Sequence, residues 1–267
     1  MNNNLDYLNR VYLRIDLDKI CNNIKEVIKK VGDDTKVMAV VKADAYGHGA
    51  IEVSKALSEI GPSGFAVATV GEALALRRAG ITKPILILDF VFPNQFETII
   101  RNDIMLTIFR YEIAKELNEA AEQMGTTVHI HIKVDTGMGR IGFIPDEESV
   151  DEIRRISQLP NVEIDGIFTH FACADEADKT SMNRQFEKFK SFVKKLEEIG
   201  INIPIKHVCN SAAIIDSNDK FLNMVRSGII TYGLYPSEFV HKDRLHIEPS
   251  MELHSLVINV KTIHKGD

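Results

Sequence analysis

The chain has 267 residues, 45% of them hydrophobic and 26% charged, with a net charge of −6. That length suits one large α/β domain or two ordinary ones, and no uncharged apolar run is long enough to suggest a membrane span. Acids and bases are interleaved, unlike the concentrated cationic surface of a nucleic-acid binder, so the expected partner is a small molecule.

The start, MNNNLDYLNR, has no basic-then-apolar export pattern, and Cys21, Cys173 and Cys209 lie far apart without Cys-x-x-Cys spacing. Free thiols in a reducing cytoplasm are expected, with no structural zinc site. Residues 10–17, RVYLRIDL, alternate as a strand, and 18–30 read as a helix. Then come eight short strand-like runs: KVMAVV (36–41), FAVAT (65–69), PILIL (84–88), IMLTIF (104–109), TVHIHIKVD (127–135), VEIDGIFTH (162–170), IKHVC (205–209) and MVRSGI (224–229). Arg226 and Gly228 weaken the strand signal of the last.

Amphipathic stretches at 71–80, 110–125, 146–157 and 180–200 lie between these runs, several closing on glycine. Strand then helix, repeated, implies right-handed crossovers and a parallel sheet. Eight such units close most naturally into an α/β fold of the (β/α)₈ TIM-barrel type. SLVINVKTI (255–263) reads as a further strand outside the pattern. The expected organisation is a barrel over 1–249, with strand 10–17 contributing to a β-rich second domain that begins at 250 and is cut short at 267.

Active sites of such barrels lie at the C-terminal ends of the strands, and here those ends are polar. Lys42 with Tyr46, Lys133 and Asp135 with Arg140, His170, Asn210 with Ser211, and Arg226 with Gly228 all fall there. In the fifth run His129, His131, Lys133 and Asp135 share one face, which should point into the barrel; His129 and His131 read as a hydrogen-bonded core pair, and no metal site is expected. Tyr7, Tyr12 and Tyr235 read as packing residues, and Gly32-Asp33-Asp34 as a solvated turn.

Gly137 to Gly142 spell G-x-G-x-x-G after a strand, with Asp165 near the offset of a ribose-binding acid. A dinucleotide fold needs that turn to pass straight from an apolar strand into a helix, whereas Asp135, Thr136 and Pro145 intervene. A lysine ending an apolar strand suits an amine that bonds a carbonyl carbon. Pyridoxal phosphate would supply an aldehyde for it and a phosphate for the loops; a sugar-phosphate aldolase would use the same lysine.

VMAVVKADAYGHG (37–49), KVDTGMGRIGF (133–143), FTHFACADE (168–176), CNSAA (209–213) and MVRSGIITYGLYPS (224–237) resemble, in order, the motifs of the alanine racemase family. The resemblance implies a pyridoxal 5'-phosphate enzyme that interconverts L- and D-alanine, the latter for the cell wall, and that works as a homodimer. Lys42 would carry the cofactor and act as one of two acid/base groups. Tyr46, Ser211, Gly228 and Ile229 would hold the phosphate, Arg226 would face the pyridine nitrogen with His170 supporting it, and Leu88 and Asn210 would line the cofactor site. Arg140 would contact cofactor and substrate, and Lys133 matches a position that is often carbamylated. Asp89 stands where the family commonly has glycine.

The family's second acid/base group is a tyrosine of the β-domain, beyond residue 267, so the 267 residues alone are expected to racemise weakly or not at all. Two alternatives remain open at this point: a racemase of serine or another small amino acid, and a non-catalytic carrier of the cofactor.

Overall fold

β1 (Val11–Ile15) opens the computed structural model, which describes residues 10–217 and 219–266. The eight apolar runs then form β2 (Lys36–Val40), β3 (Gly64–Val67), β4 (Ile85–Ile87), β5 (Met105–Ile108), β6 (Val128–Lys133), β7 (Val162–Phe168), β8 (Ile205–His207) and β9 (Met224–Ser227). They are parallel, and β9 pairs back onto β2 to close a barrel in chain order. Alternation along β2 separates two apolar layers. Val37, Ala39 and Val41 pack with helix residues such as Ile20 and Ile24, whereas Met38 and Val40 join Ala66, Leu86 and Met224 inside the barrel.

The covering helices carry their own end signals. Helix Leu17–Val31 starts where the Asp16 carboxylate accepts the Lys19 N–H at 3.1 Å, and it ends on Lys29 and Lys30 before Gly32 at φ 78°. Helix Val70–Arg78 begins with a capping box in which Thr69 and Glu72 satisfy each other's backbone N–H groups. Along β6, Ile130 and Ile132 join the outer apolar layer, while His131 and Lys133 are buried on the opposite, inner face. The barrel interior therefore changes from apolar to polar near its C-terminal rim.

The expected strand at 255–263 is not formed. β10 is instead Met251–Ser255, antiparallel to β1, with Arg14 opposite Glu252 and the Tyr12 ring stacked on His254 at 4.8 Å. Residues 256–263 alternate well but have no partner ladder among the described residues, and alternation alone does not hold a strand. Val11, Leu13 and Leu253, with Leu256, Val257, Ile258, Val260 and Ile263 beyond them, leave an exposed apolar stretch. Tyr235 bonds the Leu245 carbonyl at 2.8 Å, Asp33 and Asp34 are exposed in a turn, and Tyr7 lies outside the described residues. Among the described residues no helix is long and apolar enough to cross a membrane.

Candidate active site

The backbone reverses its hand immediately after Lys42. Ala43, Asp44, Ala45 and Tyr46 have φ of 51 to 55°, a full left-handed turn built from residues with side chains. Each such residue costs roughly 1–2 kcal/mol, so distant groups must hold the turn. Glu72 does so through one carboxylate, its Oε1 accepting the Ala43 N–H at 2.8 Å while Oε2 accepts those of Ala68 and Thr69. Asp44 accepts the Ala50 N–H at 2.7 Å, and the buried His48 ring donates from Nδ1 to the Ala45 carbonyl at 3.0 Å. The turn brings Tyr46 back over the barrel mouth, where its ring meets Tyr232, itself anchored to the Val40 carbonyl at 2.8 Å.

A cavity of about 490 Å³ opens there, lined by Lys42, Tyr46, Leu88, Lys133, Arg140, His170, Asn210, Ser211, Arg226, Gly228 and Ile229. The cofactor-site residues that the resemblance names thus meet at one mouth, whereas Asp135 of the polar rim does not line it. Lys42, half-buried, continues the inward face of Met38 and Val40 and is matched with no hydrogen-bond or ion-pair partner among the described residues. With Lys133, Arg140 and Arg226 it makes a cationic pocket whose carboxylates are Asp89 and Asp175. Such a pocket favours an anionic guest.

One end of the cavity is shaped for an anion of several oxygens. The Gly228 N–H donates to Ser211 Oγ at 3.1 Å, and Ile229 opens the short helical turn Ile229–Tyr232. A side chain at Gly228 would crowd Tyr46 Oη at 3.2 Å and Ser211 Oγ at 3.3 Å, so glycine keeps this cradle open. Burial raises the Tyr46 pKa and keeps its hydroxyl a donor. Asn210 lines the cavity, but its side chain is engaged: Oδ1 caps the next helix at the Ala213 N–H, and Nδ2 donates to the Phe171 carbonyl.

At the floor, Arg226 is buried and its guanidinium donates to His207 Nδ1 and the carbonyls of His207, Thr169 and Val208 at 2.8 to 3.2 Å, with His170 Nδ1 at 3.4 Å. Burial lowers the Arg226 pKa only to about 10, so the cation persists at neutral pH. Burial and then the Arg226 charge hold His131 and His170 down to about 3 and push His207 well below its usual value. All three imidazoles are neutral. The Cys209 thiol nearby donates to the Lys220 carbonyl and is pushed by burial up to about 12, so it is no nucleophile.

The expected pairing of His129 with His131 does not occur. A register shift between Ile130 and His131 separates their partners: His129 Nδ1 meets Asp165 at 3.0 Å, and His131 Nδ1 meets His207 Nε2 at 2.8 Å. Burial would lower the His129 pKa, but the hydrogen bond and charge of Asp165, with Glu163, raise it. These two carboxylates come from β7, so the acid group absent from His129's own neighbourhood in sequence is assembled across strands.

The glycine loop after β6 is an anion nest filled by its own chain. Asp135 Oδ1 accepts the N–H groups of Gly137, Met138 and Gly139 at 2.9 to 3.1 Å, and Oδ2 accepts that of Arg140 at 3.0 Å. Burial would raise the Asp135 pKa, but these backbone donors lower it. No amide of the nest is left for a pyrophosphate, which removes the dinucleotide reading, and Asp165 is occupied by His129. Asp135→Ala should cost about 2 kcal/mol in urea unfolding and Asp135→Asn about half of that. Because the folded carboxyl is depressed, the contribution is present above the ordinary value of 3.8 and is lost on acidification below it, so Asp135→Ala should also flatten the acid limb of stability.

Residues 15–236 match the family model described as alanine racemase, N-terminal domain. The alanine racemase of Methanococcus maripaludis is 53% identical over 253 residues, covering 95% of this chain and 68% of the relative. The chain belongs to the alanine racemase family. The alanine racemase of Clostridium tetani is 48% identical, covering 97% of this chain and 67% of its own. Among solved structures, alanine racemase from Clostridium difficile in complex with cycloserine has a TM-score of 0.93 at 44% identity, covering 95% of this chain and 70% of that one. Alanine racemase from Bacillus anthracis with bound L-Ala-P has a TM-score of 0.89 at 36% identity, covering 97% and 67%.

Several groups that build this alanine racemase site escaped the reading of the sequence. Gln185, buried on helix Thr180–Glu198, donates to Thr136 Oγ1 and the His170 carbonyl and accepts the Ala172 N–H, joining two rim loops. Thr136 and Thr169 are linked at 2.8 Å, and Phe168 stacks on His207 at 4.6 Å. A polar residue on the apolar stripe of a helix was the available signal for Gln185. No comparable local signal marked Thr169 or Phe168.

Proposed function

We propose that this chain binds pyridoxal 5'-phosphate at the barrel mouth and serves L-/D-alanine interconversion by α-proton exchange. The observation that carries the reading is a cationic cavity that brings Lys42, unpaired among the described residues, together with a cradle of hydroxyl and backbone N–H groups and with Arg226. The residues fit the group, because the glycine at the cradle leaves room for a phosphate where a Cβ would crowd two hydroxyls. When bound, the cofactor supplies an electron sink that makes an amino acid's α-proton removable.

The chain's own residues then have distinct tasks. Tyr46, Ser211 and the Gly228 and Ile229 amides bind the phosphate. Lys42 carries the cofactor and moves a proton at the substrate α-carbon from one face. Arg226, which does not surrender its proton, would face the pyridine nitrogen and leave it unprotonated, a weaker electron sink that would favour return of a proton over transamination. Arg140 orients the substrate carboxylate, and the cationic pocket as a whole attracts it.

Lys133 has a separate part. Burial lowers its pKa to about 8, with Arg226 adding to the effect, and its amine donates to the carbonyls of Val134 and Ile141 rather than pairing with Asp135. A pKa near 8 leaves roughly a tenth of the amine neutral at pH 7, some 300-fold more than an ordinary lysine, and the neutral amine is the form that takes up carbon dioxide. Carbamylation would turn this cation into an anion facing Arg140. Labelled carbon dioxide should therefore give a carbamate signal at Lys133 that grows from pH 7 to 9 and vanishes in Lys133→Ala. The unfolded chain keeps the Lys133 proton up to 10.5, so this group makes stability rise with pH between about 8 and 10.5.

The relatives extend beyond the matched residues, and the exposed apolar faces of β1 and β10 suit packing against the remainder of a β-domain whose tyrosine serves the second face across a homodimer. A polypeptide of these 267 residues should then exchange the α-proton of one alanine enantiomer with solvent deuterium but invert it roughly 10²–10⁴-fold more slowly than the full-length family protein. Deuterium uptake into one enantiomer is the expected result. Absence of exchange with cofactor bound would overturn the reading.

A further inference from the structure

His131 lies deep in the barrel, away from the cavity lining, yet its ring is the end of a hydrogen-bonded chain that starts at Arg226. A guanidinium only donates, so His207 Nδ1, 2.9 Å from Arg226 Nη1, must accept. The His207 proton is therefore on Nε2, which lies 2.8 Å from His131 Nδ1 and donates to it. That leaves the His131 proton on Nε2, a buried atom with no protein partner among the described residues. Each tautomer follows from the one before.

The converse dependence has the functional consequence. Phe168 stacks on His207 with an interplanar angle of 14°, which fixes the plane of the imidazole but not which way it is turned about its Cβ–Cγ bond. A half-turn about that bond would keep the stack and present carbons to both Arg226 and His131. The Arg226 donor and the His131 acceptor together select the observed orientation. The barrel is also built around this ring: β6 shifts register at His131, and a side chain on Gly166 would overlap it.

We propose that His131 is a positioning residue that, by accepting the His207 Nε2 proton, reinforces the one orientation of His207 that Arg226 needs and so helps aim the guanidinium at the floor of the cavity. The part concerning the cofactor rests on the function proposed above; the tautomers do not. Burial and the Arg226 charge, which keep both imidazoles neutral, agree with this chain of single protons.

The test uses histidine ring ¹⁵N–¹H correlation spectra of the cofactor-free protein, together with titration by pyridoxal 5'-phosphate. Wild type should show His207 and His131 both as the Nε2–H form. His131→Leu should leave the His207 Nε2 proton without its acceptor, shift and broaden its signal and those of the Arg226 guanidinium and weaken cofactor binding roughly tenfold, whereas His131→Asn, whose Oδ1 keeps an acceptor near the lost Nδ1, should restore all three to within about twofold. An Nδ1–H form of His207 in wild type would overturn the proposal, and so would unchanged spectra in a folded His131→Leu. Should the leucine variant not fold, the wild-type tautomers and His131→Asn decide the matter. Wild type with the stated tautomers but no uptake of the cofactor would instead count against the proposed function alone.

Discussion

Lys42→Ala should leave the barrel as stable as the parent, to within about 1 kcal/mol, while abolishing covalent uptake of pyridoxal phosphate and slowing α-proton exchange by at least ~10²–10⁴-fold. The stability half follows from its surroundings: half-buried, Lys42 is matched with no partner among the described residues and shares the cavity with Lys133, Arg140 and Arg226. Its removal breaks no bond and relieves like-charge repulsion. The activity half follows from its place at the inward end of β2, where it is the amine most open to a guest in the cradle at Gly228. Equal melting temperatures with lost visible absorbance are expected. Retained absorbance would mean another amine carries the cofactor.

Arg226→Leu should behave in the opposite way, with a stability loss of about 3 kcal/mol or more and a fall in Tm of roughly 6–12 °C. Leucine would leave His207 Nδ1 and the carbonyls of His207, Thr169 and Val208 without the donors that now reach them inside the barrel. The Phe168 ring would lose the cation 5.2 Å from its centroid. With the guanidinium gone, the charge that helps hold His170 down to about 3 is also removed, so its pKa should move upward. Urea unfolding and histidine titration by NMR read the two effects. A loss below about 1 kcal/mol would mean that the floor of the site is held by packing alone.

The two variants separate the residue that waits for a ligand from the one that holds the site together, and both were visible in the sequence for different reasons. Lys42 ends an apolar run, and Arg226 interrupts one, so each breaks a pattern that packing otherwise dictates. The eight barrel strands were legible because apolar runs bounded by polar or glycine residues need no distant information. The last strand was not. MELHS (251–255) offers only two apolar residues, and what makes it β10 is pairing with β1 through Glu252 and His254, whereas the more apolar 256–263 finds no such partner among the described residues.

Two parts of the site depended on contacts far apart in sequence, and a third on the course of a local turn. The left-handed turn at 43–46 contains no glycine, and one of the groups that hold it, Glu72, is 29 residues away from Ala43. His129 and His131 share a strand face, but the register shift against β7 sends one to Asp165 and the other to His207. The G-x-G-x-x-G loop was legible as a motif whose flanking Asp135, Thr136 and Pro145 do not suit a dinucleotide turn. That its anion is Asp135, and not a ligand, required the coordinates of the turn.

The most direct test of the central claim is to load the protein with pyridoxal 5'-phosphate, reduce it with borohydride and map the modified peptide. The expected result is one phosphopyridoxyl group, on Lys42, with none in Lys42→Ala. Modification of Lys133 or of a surface lysine in its place, or no stable label at all, would contradict the assignment of this cavity.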